Sequence, residues 1–199
     1  MDITGILTAC LISFVVGIIS VSAGGTSLIT VPVLIWLGMT TKNAIATNMF
    51  ALIFLSISGA LGFRSRIKSS HYKMAVLFSI LTICGSLIGA NLVLAINEDI
   101  LKRTIAIMMC VIATSLIFKR DLGVKQTTAQ MSKFRFLAGA LAVFALGIYG
   151  GFFSGGYVTL LSYVLILSFG LNFLQAASIT KIFNIFSSSI ACAFFYYHG

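Results

Sequence analysis

Apolar stretches long enough to enter a bilayer recur from one end of this chain to the other, and that recurrence restricts the fold more than any single motif. Eight stretches are readable, over roughly 3–22, 26–38, 44–63, 73–96, 100–118, 134–153, 157–170 and 173–197. A helix crossing the hydrocarbon core needs about 20 apolar residues, and six of the stretches meet that length. The second and seventh, at about 13 to 14 residues, cover only about 20 Å at the helical rise, so they read as half-helices. Inside lipid the backbone satisfies its own polar groups only as helix or closed barrel. Charged residues are 9% of the chain, far below the roughly 25% of a soluble domain. The expectation is an all-α polytopic membrane protein.

One interruption stands out. Ser22-Ala23-Gly24-Gly25-Thr26-Ser27 joins the first two stretches, and Pro32, the only proline, follows soon after. Adjacent glycines weaken a helix, and proline removes a backbone donor, so the helix is expected to break there. A break at membrane depth is tolerated only when buried in protein or lining a watery cavity. The alternative role of a glycine pair is close helix packing. Met1-Asp2-Ile3-Thr4 lacks the basic residues that open a cleavable signal peptide, so the first span is expected to stay in the mature protein.

The net charge of +9 does not point to nucleic acid, because the basic residues gather in two loops. Arg64, Arg66, Lys68 and Lys73 occupy one, and Lys119, Arg120, Lys125, Lys133 and Arg135 the other, whereas Asn97-Glu98-Asp99 is acidic. The positive-inside rule places loops 64–73 and 119–135 in the cytoplasm and the acidic turn outside. Two spans separate the basic loops, as that assignment requires. His71 and His198 have no second ligand nearby, and Cys10, Cys84, Cys110 and Cys192 lie singly in apolar runs, so no metal, cofactor or redox role is expected. No carboxylate, His pair or Cys–His pair suited to catalysis is apparent in the spans, which argues against an enzyme.

The second half echoes the first. Gly155-Gly156 falls 131 residues after Gly24-Gly25, and Ala177-Ser178-Ile179-Thr180-Lys181 falls 133 residues after Ala44-Ile45-Ala46-Thr47-Asn48. This divides the chain into a first repeat, 1–133, and the opening part of a second, 134–199. A repeat of five segments re-enters the membrane from the opposite side the second time, giving the inverted repeats of secondary transporters. Counterparts of the fourth and fifth segments are then expected beyond the residues present, as in a fragment or a shortened variant.

These residues resemble the sulfite exporter TauE/SafE family of membrane permeases. The resemblance lies in Gly24-Gly25 running into Val31-Pro32-Val33-Leu34, in Gly38, and in Ala44-x-Ala46-Thr47-Asn48. A weaker second copy comprises Gly151-x-x-x-Gly155-Gly156, Gly170 and Ala177-x-x-Thr180. Two features depart from the family pattern: Ala23 and Thr26 flank the first pair, and Ser162 and Tyr163 stand where a second proline is expected. The resemblance implies a bacterial inner-membrane carrier of sulfite, sulfonates or related anions.

The residues themselves also favour an anion. Asp2, Glu98, Asp99 and Asp121 are the only carboxylates, and all lie outside the spans, whereas cation pathways generally use intramembrane carboxylates. Lys181 lies inside the eighth stretch and aligns with Asn48. It either serves a site or snorkels to the headgroups. The expected anion site combines half-helix N-termini at Gly24, Gly25, Thr26 and Ser27 and at Gly155, Gly156 and Thr159, with Thr47, Asn48, Thr180, Lys181 and Asn184. The expected partners are the bilayer and a small anion, with homo-oligomerisation left open. A passive anion channel and a membrane assembly protein without transport are the competing functions.

Overall fold

The computed structural model describes residues 3–64, 69–118 and 132–198. Its helices are α1 (Ile3–Ala23), α2 (Ser27–Trp36), α3 (Thr41–Phe63), α4 (Ser69–Ala95), α5 (Glu98–Phe118), α6 (Lys133–Phe152), α7 (Tyr157–Phe169) and α8 (Phe173–His198). Five of them, α1, α3, α4, α6 and α8, are long and apolar enough to cross a membrane, while α2 and α7 are short. The chain is an all-α polytopic membrane protein. Large apolar side chains such as Leu7, Leu11, Phe14 and Ile18 stand exposed along α1, a surface suited to lipid and costly in water.

The helix starts differ from the apolar pattern where the first turn is polar. Helix α3 begins at Thr41, preceded by Thr40, whose hydroxyl accepts the Asn43 N–H at 3.3 Å. Helix α5 begins on Glu98 and Asp99. Caps and first turns favour polar groups that pair the free N–H donors, so hydropathy alone starts each helix late. Pro32 lies inside α2, which continues through it with the Leu28 carbonyl left without its usual partner. Most of the two basic loops, including Arg66, Lys68, Lys119, Arg120, Lys125 and Asp121, lies outside the described residues.

Side-chain contacts order the bundle. Ser178 of α8 donates to the Phe63 carbonyl at 3.5 Å, the Lys181 stem runs beside Gly59, and Asn184 donates to Ser56 at 2.7 Å. Each step forward along α8 is a step back along α3, so the two helices are antiparallel. At one end, Glu98 accepts the Thr41 N–H and Lys42 Nζ donates to the Leu94 carbonyl at 2.8 Å. Thr40, Glu98, Phe195 and His198 share a cavity of about 520 Å³ there. Trp36, Tyr196 and Tyr197, all strongly exposed, close α2 and α8 at this end, as aromatic residues do at a membrane–water interface. At the other end Arg135 Nη2 donates to the Leu167 carbonyl at 2.6 Å, joining the start of α6 to the end of α7.

Two hairpins follow from this arrangement. Helix α2 returns to the end where α3 begins, and α7 returns to the end where α8 begins, so α1–α2 and α6–α7 enter the bundle from opposite ends. One apolar cluster gathers around Val31, Ile45, Met49 and Phe153, a second around Phe78, Tyr157, Leu161 and Phe183. The second glycine pair lies between Phe153 and Tyr157, where the two clusters meet.

Helix α4 against α6 is the closest crossing. A Cβ on Gly89 would fall 2.0 Å from the Ile148 carbonyl oxygen, one on Gly85 2.7 Å from the Phe144 oxygen, and one on Gly151 2.2 Å from the Ser86 oxygen. These spacings leave room for hydrogen only, and the backbones touch directly, as small residues four apart allow between membrane helices. Replacing Gly89 by Val is therefore expected to destabilise the folded protein by about 3 kcal/mol or more, read as thermal unfolding in detergent. Gly62→Ala, at a position with nothing within 4 Å, should leave the transition unchanged.

Candidate functional site

The site is built where the two glycine breaks touch. Gly24 and Gly25 have φ of 78° and 86°, and Gly156 has 73°, left-handed backbone that residues with a Cβ rarely adopt. These glycines turn α2 back on α1 and α7 back on α6. The turns also fit one another. A Cβ on Gly24 would lie 2.9 Å from Thr159 Oγ1, and one on Gly155 2.8 Å from Leu28 Cδ2. Gly156 is closed on its far side by Ile112 of α5, 2.6 Å from where its Cβ would be. Tyr149 donates its hydroxyl to the Gly155 carbonyl, pairing an oxygen that the broken helix leaves free.

A buried polar network ties the two breaks to α3. Asn48 Nδ2 donates to Ser27 Oγ at 2.8 Å and approaches Ser154 Oγ at 3.4 Å. Its Oδ1 accepts the Thr30 hydroxyl at 2.6 Å, and the Ser27 and Ser154 hydroxyls are 2.7 Å apart. Ser27 opens α2 and Ser154 precedes the second glycine pair, so one amide side chain holds both hairpins.

A second polar layer lies farther along α3, between it and α8. Ser56 is eight residues from Asn48, about 12 Å along the helix. There Asn184 donates to Ser56 and accepts from Ser188 at 3.2 Å. Lys181 is only 1% exposed. The missing side chain at Gly59 makes room for it: a Cβ there would fall 3.1 Å from Lys181 Cδ and 3.2 Å from Cε. The described carboxylates, Glu98 and Asp99, open α5 at the other end of the bundle. A buried charge without a counter-ion is costly.

The expected site residues therefore fall into distinct places. Ser27 and Asn48 join Thr30 and Ser154, with Gly24, Gly155, Gly156 and Thr159 forming the crossing around them. Lys181 and Asn184 belong to the second layer. Thr180 is buried, but its hydroxyl donates to the Ala177 carbonyl of its own helix at 2.9 Å. Thr26 and Thr47 line a groove facing α1, and Gly25 meets nothing nearer than Leu28 Cδ1 at 3.8 Å. Sequence reasoning missed Thr30, Ser154, Ser56, Gly59 and Ser188 as site residues. Helical spacing held a signal for several: Thr30 lies one turn after Ser27, Gly59 one turn after Ser56, and Ser188 one turn after Asn184.

Interrupted helices crossing inside an apolar bundle define a class, the multi-pass membrane protein whose irregular backbone is sealed in its interior. Within that class the chain belongs to the TauE/SafE family, since the family model described as Sulfite exporter TauE/SafE matches residues 9–199. It is 30% identical over 201 residues to a protein of Haemophilus influenzae named "Probable membrane transporter protein", covering 100% of this chain and 78% of that one. It is 28% identical over 177 residues to "Probable membrane transporter protein YfcA" of Escherichia coli K12, covering 87% of this chain and 63% of that one. A Sinorhizobium relative, "Probable membrane transporter protein ORF9", is 26% identical over 189 residues, covering 94% and 70% respectively. No solved structure matches the chain.

The network around Asn48 carries a stability prediction. Asn48→Leu removes the amide that pairs three buried hydroxyls and is expected to cost about 1–3 kcal/mol. Ser27→Ala should cost less, because Asn48 keeps Thr30 and has Ser154 within reach. Thermal unfolding of the purified proteins in one detergent gives the ranking.

Proposed function

We propose that the protein is a secondary transporter for small anions, and that Lys181 is the fixed positive charge of its binding site. The observation carrying this reading is the burial of Lys181 against Gly59, with Asn184 and Ser56 beside it and the described carboxylates at the opposite end of the bundle. An arriving anion supplies the counter-charge that the described residues do not. Neutral donors at Asn184 and Ser56 complete its shell, and charge-assisted hydrogen bonds are the strong ones. Sulfite and small sulfonates are the substrates that membership of the TauE/SafE family favours. The chemistry is permeation rather than catalysis, in the inner membrane of a bacterium.

The two hairpins support a mechanism. Helices α1–α5 form one unit and α6–α8 belong to a second, inserted in the opposite sense, with boundaries near 133 and 134. Rocking the α1–α2 hairpin against the α6–α7 hairpin, with the α4–α6 seam as the fixed body, would exchange the bond between Ser27 and Ser154 and open the polar layers to each side in turn. In this orientation the basic loops lie in the cytoplasm, and the end bearing Glu98 and Trp36 lies outside.

Counterflow of radiolabelled sulfite and taurine-like sulfonates into proteoliposomes tests the reading. Lys181→Ala and the space-filling Lys181→Met should lower uptake about 10- to 100-fold, the loss of one hydrogen bond to a charged group, while Lys181→Arg keeps part of it. Normal uptake by a folded Lys181→Met protein would exclude the lysine from the site. Flux that never accumulates against an opposing gradient would mark a passive channel instead.

A further inference from the structure

The two hairpins are unequally covered. In the membrane-crossing windows, 17% of α1 is buried against 28% of α6, and 39% of α3 against 56% of α8. Helix α4 makes much of the difference, since it packs on both α6 and α8. Beside α1 there is instead an open groove of about 970 Å³, walled by Ala9, Ser13 and Gly17 of α1 and by Ala51, Phe54 and Ser58 of α3.

Those walls correspond to the seat of α4. In the register that carries Gly24-Gly25 onto Gly155-Gly156, Ser13 and Gly17 fall on Phe144 and Ile148. These are the α6 residues whose backbone receives Gly85 and Gly89 of α4. In the register that carries Asn48 onto Lys181, Phe54 and Ser58 fall on Ser187 and Ala191. The Ser187 carbonyl accepts the hydroxyl of Ser86 on α4 at 2.7 Å, and Ala191 is fully buried. Both walls of the groove thus match surfaces that a helix covers in the other unit. Ala9, Ser13 and Gly17 also recur one turn apart, the small-residue spacing that admits a second backbone.

We propose that the groove between α1 and α3 is the seat of a membrane-spanning helix of α4's kind. That helix is apolar and carries small residues four apart where it crosses α1. The inference rests on the two-unit reading above. The relatives are longer than the match, which covers 63% of the Escherichia coli protein and 78% of the Haemophilus influenzae one. An acyl chain would leave the groove's small-residue stripe without a purpose.

The test uses the whole chain in detergent micelles and, as probe, a dansyl-labelled synthetic peptide of residues Met74–Ala95. Trp36 is the only tryptophan and lies two residues past Leu34, which lines the groove, so it serves as the energy-transfer donor. Saturable transfer is expected, weakened at least about tenfold for a peptide carrying Gly85→Ile and Gly89→Ile. Gly17→Leu in the chain should weaken it similarly, and Gly62→Leu should not. The peptide substitutions read the contact without touching the chain's folding. Transfer that fails to saturate, or that ignores the peptide's glycines, overturns the proposal. So does self-association that the peptide cannot displace, which would make a second copy the occupant. The assay contains no anion, so a failure of the transport reading leaves its outcome separate.

Discussion

A helix interrupted in hydrocarbon exposes N–H and C=O groups that lipid cannot pair, at a cost of several kcal/mol each. The rest of this structure answers to that constraint. Two helices break at glycine pairs, and each break is sealed largely by the other. Gly24 lies against Thr159 and Gly155 against Leu28, so the second turn is buried and the first partly covered. Tyr149 pairs one of the freed carbonyls. The outer helices then serve to wall in this crossing, and the apolar clusters on either side of it fill the space between.

Glycine acts in two distinct ways here. At Gly24, Gly25 and Gly156 it supplies left-handed backbone, which turns the chain. At Gly85, Gly89, Gly147 and Gly151 it supplies absence, letting α4 and α6 approach until their backbones touch. The second use holds together helices that a hydrophobic effect cannot, because lipid tails are as apolar as the side chains themselves. The bundle is thus rigid along the α4–α6 seam and joined by neutral, exchangeable hydrogen bonds at the crossing. A rocking motion between hairpins needs both properties.

The polar interior is graded along α3. Around Asn48 every group is neutral and paired, whereas around Ser56 a lysine is buried against a glycine. Hydroxyls and amides donate or accept as required, so the first layer can rearrange without creating charge. The lysine cannot. Its stem is packed and its ammonium has no described carboxylate beside it, which is why the proposed anion site is placed in the second layer.

Much of this was legible in the residues. Apolar runs of 20 or more residues located the spans, because hydropathy reports the solvent a segment meets. Paired glycines located both breaks, because backbone freedom is a property of the residue itself. Lys181 stood out because a charge in an apolar run needs a reason. The partners of these groups were not legible. Ser154 meets Ser27 across 127 residues of chain, and Gly59 makes room for Lys181, through contacts set only when several helices settle at particular distances and rotations. The division of the site into two layers on α3, and the uncovered groove beside α1, were likewise decided by packing. Local chemistry determined which segments enter the membrane and where they break. Only the tertiary structure decided which polar groups face one another, since that depends on the summed fit of many weak contacts between segments far apart in the chain.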